Sequence, residues 1–361
     1  MKAESRAELW QRLCDAGLAQ GEIPATAAPE SPWFVRAMLG VAGWIGAIFL
    51  LLFIGAGMAV VFREEGIAAV VGLLCCGGAA LIFAKFGRNV LAAQFGLAVS
   101  LAGQVMFIFG LHEAGGFADD SPPFFIAVAI FEGVLALFVP NFISRVWSAL
   151  AMTVALGFAT NMAGLYGLAT PFIGLGLATI WLRADLWAIK GAVWRAIGWG
   201  LALGFLQPGS YIGALTAWAF RPGHPITMTW LPWINMALRA ALLIYVVHKL
   251  VDGFGARASS TVRISSLAAA AVIAVVCMRA PGILPALIVV LLGFAAGNRA
   301  LFGLAVFALL SYISYFYYSL EMTLLSKSAA LAGTGAVLVL LWFVMRQLFA
   351  GEDGEGGKAR A

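Results

Sequence analysis

Apolar side chains run through this chain in long blocks, and polar residues are confined to the short gaps between them. The stretch AMLGVAGWIGAIFLLLFIGAG is apolar on every face, not on alternate positions or along one stripe. Blocks of about 20 such residues have the length an α-helix needs to cross a hydrocarbon core of about 30 Å. Inside lipid every backbone amide must find its partner within the chain, which leaves helices or closed barrels. Barrel strands would alternate with period two, and these blocks do not. The pattern therefore predicts an all-α, polytopic transmembrane helical bundle of about 12 spans. They fall at approximately 37–61, 66–84, 89–110, 122–140, 146–165, 168–182, 191–207, 231–250, 264–280, 282–297, 301–319 and 328–348. The sixth is short and the seventh carries Arg195 near one end, so these two are the least sharply marked.

The flanks are different. Ser5 and Glu8 have capping-box spacing, and Leu9, Trp10 and Leu13 recur at helical intervals until Gly17 offers a stop. AQGEIPATAAPESP then reads as a Pro/Ala linker. Residues 1–36 are expected to be a short cytosolic helix and linker, 37–348 the transmembrane helical domain, and 349–361 a polar cytosolic tail. The first 36 residues lack the compact apolar core and small-residue cleavage site of a signal peptide, so none is expected.

Composition agrees with the blocks. The 361 residues are 63% apolar and 11% charged, against about 45–50% and about 25% in soluble domains. The net charge of +5 carries less information than its distribution, which argues for orientation and not for nucleic acid. With the N-terminus inside, only Arg63, Arg221, Arg279 and Lys327 of the 22 Lys and Arg fall outside. Arg239 lies within a span, and the other seventeen are cytoplasmic. This is the positive-inside bias, and it predicts that both termini are cytoplasmic. LHEAGGFADDSPP, after the third span, is an acidic outside loop. The segment 208–230 is the longest one; its apolar Tyr211–Phe220 is too short to cross and is expected to be interfacial or re-entrant.

Two charges sit in the middle of spans, where they are costly and usually face an interior partner. Glu132 is about ten residues into its span and Arg239 about eight, hence roughly 15 Å and 12 Å deep at 1.5 Å per residue. These depths predict a buried ion pair or two walls of one polar cavity. The pair is either a lock between helices or part of a substrate or proton pathway. Ser311, Ser314, Tyr315 and Tyr318 share one helical face leading toward Glu321. That face is either a cavity lining or hydroxyl glue with an aromatic girdle.

Other chemistry is thin. Cys14, Cys75, Cys76 and Cys277 form no CxxC, and His112, His224 and His248 are scattered. GLGLAT at 174–179 lies inside a span with no strand before it, so it is not a nucleotide loop. No metal, cofactor, enzymatic activity or nucleic-acid partner is expected; the surroundings are the lipid bilayer.

ELWQRLCDAGLAQGEIP followed by SPWFVRAMLGVAGWIGAIFLLLF resembles a family of bacterial polytopic membrane proteins, domain of unknown function 4401. The resemblance rests on the N-terminal helix, Pro32-Trp33 with Arg36, and a first span containing Trp44. It implies an inner-membrane protein of a Gram-negative bacterium, and no functional residue follows from it. Two functions are open: a carrier or permease for a small solute, proton-coupled through Glu132, or a non-transporting scaffold or regulatory subunit for an envelope partner.

Overall fold

In the computed structural model the chain is described over residues 6–15, 66–87, 89–116, 121–207, 230–253, 260–277 and 282–319. Scattered positions between 34 and 52 and between 325 and 343 are also described, and these too are helical. No strand occurs among the described residues. The helices are α1 (Arg6–Asp15), α2 (Ile67–Phe86), α3 (Val90–Ala114), α4 (Pro122–Phe138), α5 (Phe142–Met162) and α6 (Ala169–Leu182). They continue with α7 (Ala184–Phe205), α8 (Leu231–Gly253), α9 (Ser260–Val276), α10 (Ile283–Ala295) and α11 (Arg299–Ser319). The spans expected at 37–61 and 328–348, and the loop at 208–229, lie wholly or largely outside the described residues.

Helix starts follow local chemistry that hydropathy does not report. Asn89 and Asn141 each turn a side-chain oxygen onto an orphan amide of the first turn, Ala92 at 3.2 Å and Ser144 at 3.0 Å. Asn298 caps α11 through Ala300 and Leu301. The Asn141 cap starts α5 at Phe142, ahead of the 146 expected from apolar content. Ser121 precedes Pro122 and Pro123, and α4 opens there because a proline costs nothing where the amide has no helical acceptor.

The strongest pairing is α2 against α3. Gly96, Gly103 and Gly110 recur every seven residues along α3, and Ala68, Gly72, Cys76 and Ala79 line the buried edge of α2. A Cβ on Gly103 would stand 2.8 Å from both Cys75 Cβ and the Gly72 carbonyl oxygen. Small residues let the backbones touch, which is how helices associate where lipid supplies no hydrophobic drive. The same device joins α7 to α5, where Gly200 meets the backbone of Val146 and Leu150 and Gly204 meets Thr153.

The main core gathers Leu177, Phe205, Val246, Ile288, Leu292 and Leu301 from α6, α7, α8, α10 and α11. Within it α6 is buried on most of its circumference, from Ala169 to Trp181. Its 14 residues are apolar all round, as expected of a helix surrounded by protein. In α7, Lys190 is non-helical (φ −141°, ψ 50°) and divides Ala184–Ile189 from Gly191–Phe205. The span expected from 191 is the second of these pieces.

Burial runs opposite to the pattern of a soluble protein. Ile67–Phe86, Val90–Ala114, Phe142–Met162 and Trp233–Gly253 are long and apolar enough to cross a membrane, and at most 33% of the most apolar stretch of each is buried. Leu74, Val105, Phe109 and Ile130 point outward, whereas Ser100, Gln104, Glu132, Ser144 and Ser148 are buried. Pro122–Phe138, Ala169–Leu182, Ser260–Val276 and Ile283–Ala295 are apolar but shorter. Trp230 and Trp233 stand exposed at the start of α8.

Candidate functional site

Two separate polar centres interrupt the apolar interior. The first is built by α2, α3, α4 and α5. Glu132, in the middle of α4, is 1% exposed. Ser148 of α5, wholly buried, hydrogen-bonds its carboxylate. Gln104 of α3 donates to Ser148 Oγ at 3.4 Å and to Ser100 Oγ at 3.3 Å. The chain Gln104 to Ser148 to Glu132 thus aims its donors at the carboxylate. Cys76 of α2 lies near Glu132 and donates to the Ser100 carbonyl at 3.7 Å. Ser100 and Gln104, like Ser144 and Ser148, are four residues apart, so each pair occupies one helix face.

The centre is incompletely satisfied. Glu132 Oε2 is buried with no hydrogen-bond partner among the described residues, and so is Ser144 Oγ. A buried oxygen of this kind costs about 1–3 kcal/mol, more when charged. No described basic side chain pairs with Glu132. Such a carboxyl is stable only with a proton on it or a cation beside it.

The second centre joins the α5–α6 turn to α7, α8, α10 and α11. Asn161 accepts from the Gly167 amide at 3.1 Å, and Asn235 donates to the Tyr166 carbonyl at 3.2 Å. Gly167 adopts φ +72°, a left-handed conformation that glycine takes without strain. The same turn passes so close to Asn235 and Arg239 that a side chain on Gly167 would collide with the Asn235 amide. The Tyr312 hydroxyl donates to the Leu206 carbonyl at the end of α7. Its ring lies over Gly282, at the start of α10.

The structure does not bring Glu132 and Arg239 together. The expected ion pair is replaced by two centres: Glu132 faces α3 and α5, and Arg239 faces the Gly167 turn and Tyr312. The physical reason is lateral. Similar depth does not make neighbours, and α8 packs on α6, α9 and α10, not along α4. Ser311, Ser314, Tyr315 and Tyr318 do share a face, but it points outward from the bundle. Ser311 bonds its own helix at the Phe307 carbonyl, 2.8 Å. Among the described side chains of α11 the buried hydroxyl is that of Tyr312, next in sequence to Ser311 and about 100° round the helix. Glu321 lies outside the described residues. Gln104, like Gln94, Asn161 and Asn235, is legible in the sequence as a polar group within a span. Ser100 and Ser148 are not singled out there, although the four-residue spacing of Ser100 and Gln104 inside one apolar block is the available signal. No cluster of three or more His, Cys, Asp or Glu suited to a metal occurs among the described residues.

A family model described as Domain of unknown function (DUF4401) matches residues 32–348. No curated protein and no solved structure matches the chain.

Proposed function

The chain belongs to the DUF4401 family, whose description states no activity, and from its residues we propose a multi-pass inner-membrane carrier for a small solute. Glu132 is its proton-binding group. The supporting observation is the Glu132 carboxyl itself: 1% exposed, held by Ser148, with Oε2 unpartnered. A group held so far from water without a counter-charge changes its own energy sharply on gaining or losing a proton. Coupling needs that sensitivity. The bilayer reading draws on four long apolar helices that bury at most a third of their most apolar stretch.

About twelve spans with both ends cytoplasmic remain the topology proposed. The second centre gathers the end of α7 and the starts of α8 and α10, all on the outer side in that topology. A groove lined by Phe142 and Asn298 gathers the starts of α5 and α11, both on the inner side. A bundle of alternating helices requires both coincidences.

The test is electrical recording from proteoliposomes of the full chain while sugars, amino acids, organic acids and alkali cations are exchanged outside. At least one class should displace charge in the wild type, and Glu132→Gln should abolish the displacement while folding normally. Silence of the folded wild type toward every class overturns the carrier reading. It would favour a scaffold or regulatory subunit, in which the enclosed Glu132–Ser148–Gln104 network only locks three helices.

A further inference from the structure

A groove of about 410 Å³ is lined by Phe142, Val146, Arg195, Trp199 and Asn298. It takes in the first turn of α5, the N-cap of α11, and α7 just beyond its break. Its polar groups share one property. Arg195 has donors only, and the indole of Trp199 has a donor and no acceptor. Asn298 spends its side-chain oxygen on the amides of Ala300 and Leu301, both at 3.1 Å. What Asn298 has left to offer is its NH2. Among the described residues no carboxylate lines the groove.

The remaining walls are apolar. The Arg195 guanidinium carbon lies 5.3 Å from the centroid of the Phe142 ring, within cation–π range, so the charge is held over the groove's apolar wall. One turn along α5, Arg145 carries a buried Nε with no hydrogen-bond partner among the described residues. The side-chain donors face a space that Phe142, Val146 and Trp199 extend with hydrocarbon and ring surface. A free anion would satisfy the donors and leave those surfaces against water. A ligand with an anionic head and an apolar chain satisfies both.

We propose that this groove binds an anionic phospholipid, its phosphate on Arg195 and the Asn298 amide, its acyl chain along Phe142, Val146 and Trp199. The proposal rests on the bilayer reading and not on transport. Phosphatidylcholine presents the same phosphate and chain but covers the charge with a choline, so the donor-only lining discriminates against it.

The experiment uses the full chain in nanodiscs of equal phosphatidylglycerol and phosphatidylcholine, released into native mass spectrometry. Wild type should retain phosphatidylglycerol. Arg195→Gln should lower the retained fraction about tenfold, the scale of one charge-assisted hydrogen bond. Asn298→Asp should do the same while leaving thermal stability unchanged, because aspartate caps a helix as well as asparagine does. Equal retention of the two lipids overturns the proposal, as does full retention by both variants. Displacement of phosphatidylglycerol by millimolar inorganic phosphate overturns it in favour of a free-anion site. Failure of the wild type to enter any nanodisc refutes the bilayer reading instead.

Discussion

Gly110 and Gly78 belong to the same helical hairpin, and alanine at the two positions should act with opposite sign. A Cβ on Gly110 would run into the backbone nitrogen of Ala69 and stand 2.8 Å from Ala68 C and Ala69 Cα. Carbon atoms reach their best separation at about 3.5–4.0 Å, so the shortfall is about 1 Å. Backbone cannot rotate out of the way as a side-chain tip can. The two helices must part, and the seam resists: a Cβ on Gly72 would already stand 2.6 Å from the Gly103 oxygen. Overpacking of this kind costs about 1–3 kcal/mol, and the rigid seam places Gly110→Ala toward the upper end. Gly78 has nothing within 4 Å of its Cβ position. Gly78→Ala should therefore stabilise by about 0.4–1 kcal/mol, since alanine restricts the unfolded chain at no steric cost. The two variants should differ by about 2–4 kcal/mol. Thermal melts in one detergent, followed by recovery of the monodisperse peak, should separate them by 5 °C or more, on the order expected for that difference. Adding Ala69→Gly should not rescue Gly110→Ala, because the obstructing atoms are backbone. The reasoning fails if Gly110→Ala melts at or above Gly78→Ala, or if Ala69→Gly restores it.

Gly167→Ala should cost about 1–2 kcal/mol for the left-handed backbone alone, with a further loss as the Asn235 amide is displaced; a fall in melting temperature larger than that of Gly110→Ala would fit, and no fall would refute the assigned turn. Tyr312→Phe should lower stability by about 1 kcal/mol through the lost bond to the Leu206 carbonyl, whereas Tyr315→Phe, on the exposed face of the same helix, should leave the melt unchanged. Equal effects from the two tyrosines would mean that the orientation of α11 is wrong.

Hydropathy blocks located α2 to α11 to within a few residues at most ends. A run of apolar residues in lipid has only one regular structure open to it, which explains that success. The missed starts have local causes: Asn141 begins α5 four residues before the apolar block, and the short piece Ala184–Ile189 stands ahead of the block expected from 191, from which Lys190 divides it. The site was harder. Glu132 was legible because a charge in a span is rare, but its neighbours were not. Depth follows from counting residues along one helix; which helix stands beside it depends on glycine seams such as Gly200 and Gly204 against α5. The polar face of α11 shows the same limit. Periodicity places Ser311, Ser314, Tyr315 and Tyr318 on one face, yet in lipid a hydroxyl bonded to its own helix or an interfacial tyrosine can face outward, so polarity does not mark the inside.

The break at Lys190 leaves α7 with two allegiances. The first piece is fastened to α6 by the Trp187 indole, which donates to the Ile180 carbonyl at 2.7 Å. The second is seated on α5 by Gly200 and Gly204. Rotation about Lys190 severs no regular helical turn, because that turn is already open. The second piece also meets α6, since Gly198 lies against Trp181 and Gly174 against Phe205, so the break loosens only the short Ala184–Ile189 piece and leaves both polar centres in one packed body. Strain placed on Ala184–Ile189 would be taken up at Lys190 and leave the interlocked α2–α3 seam undeformed.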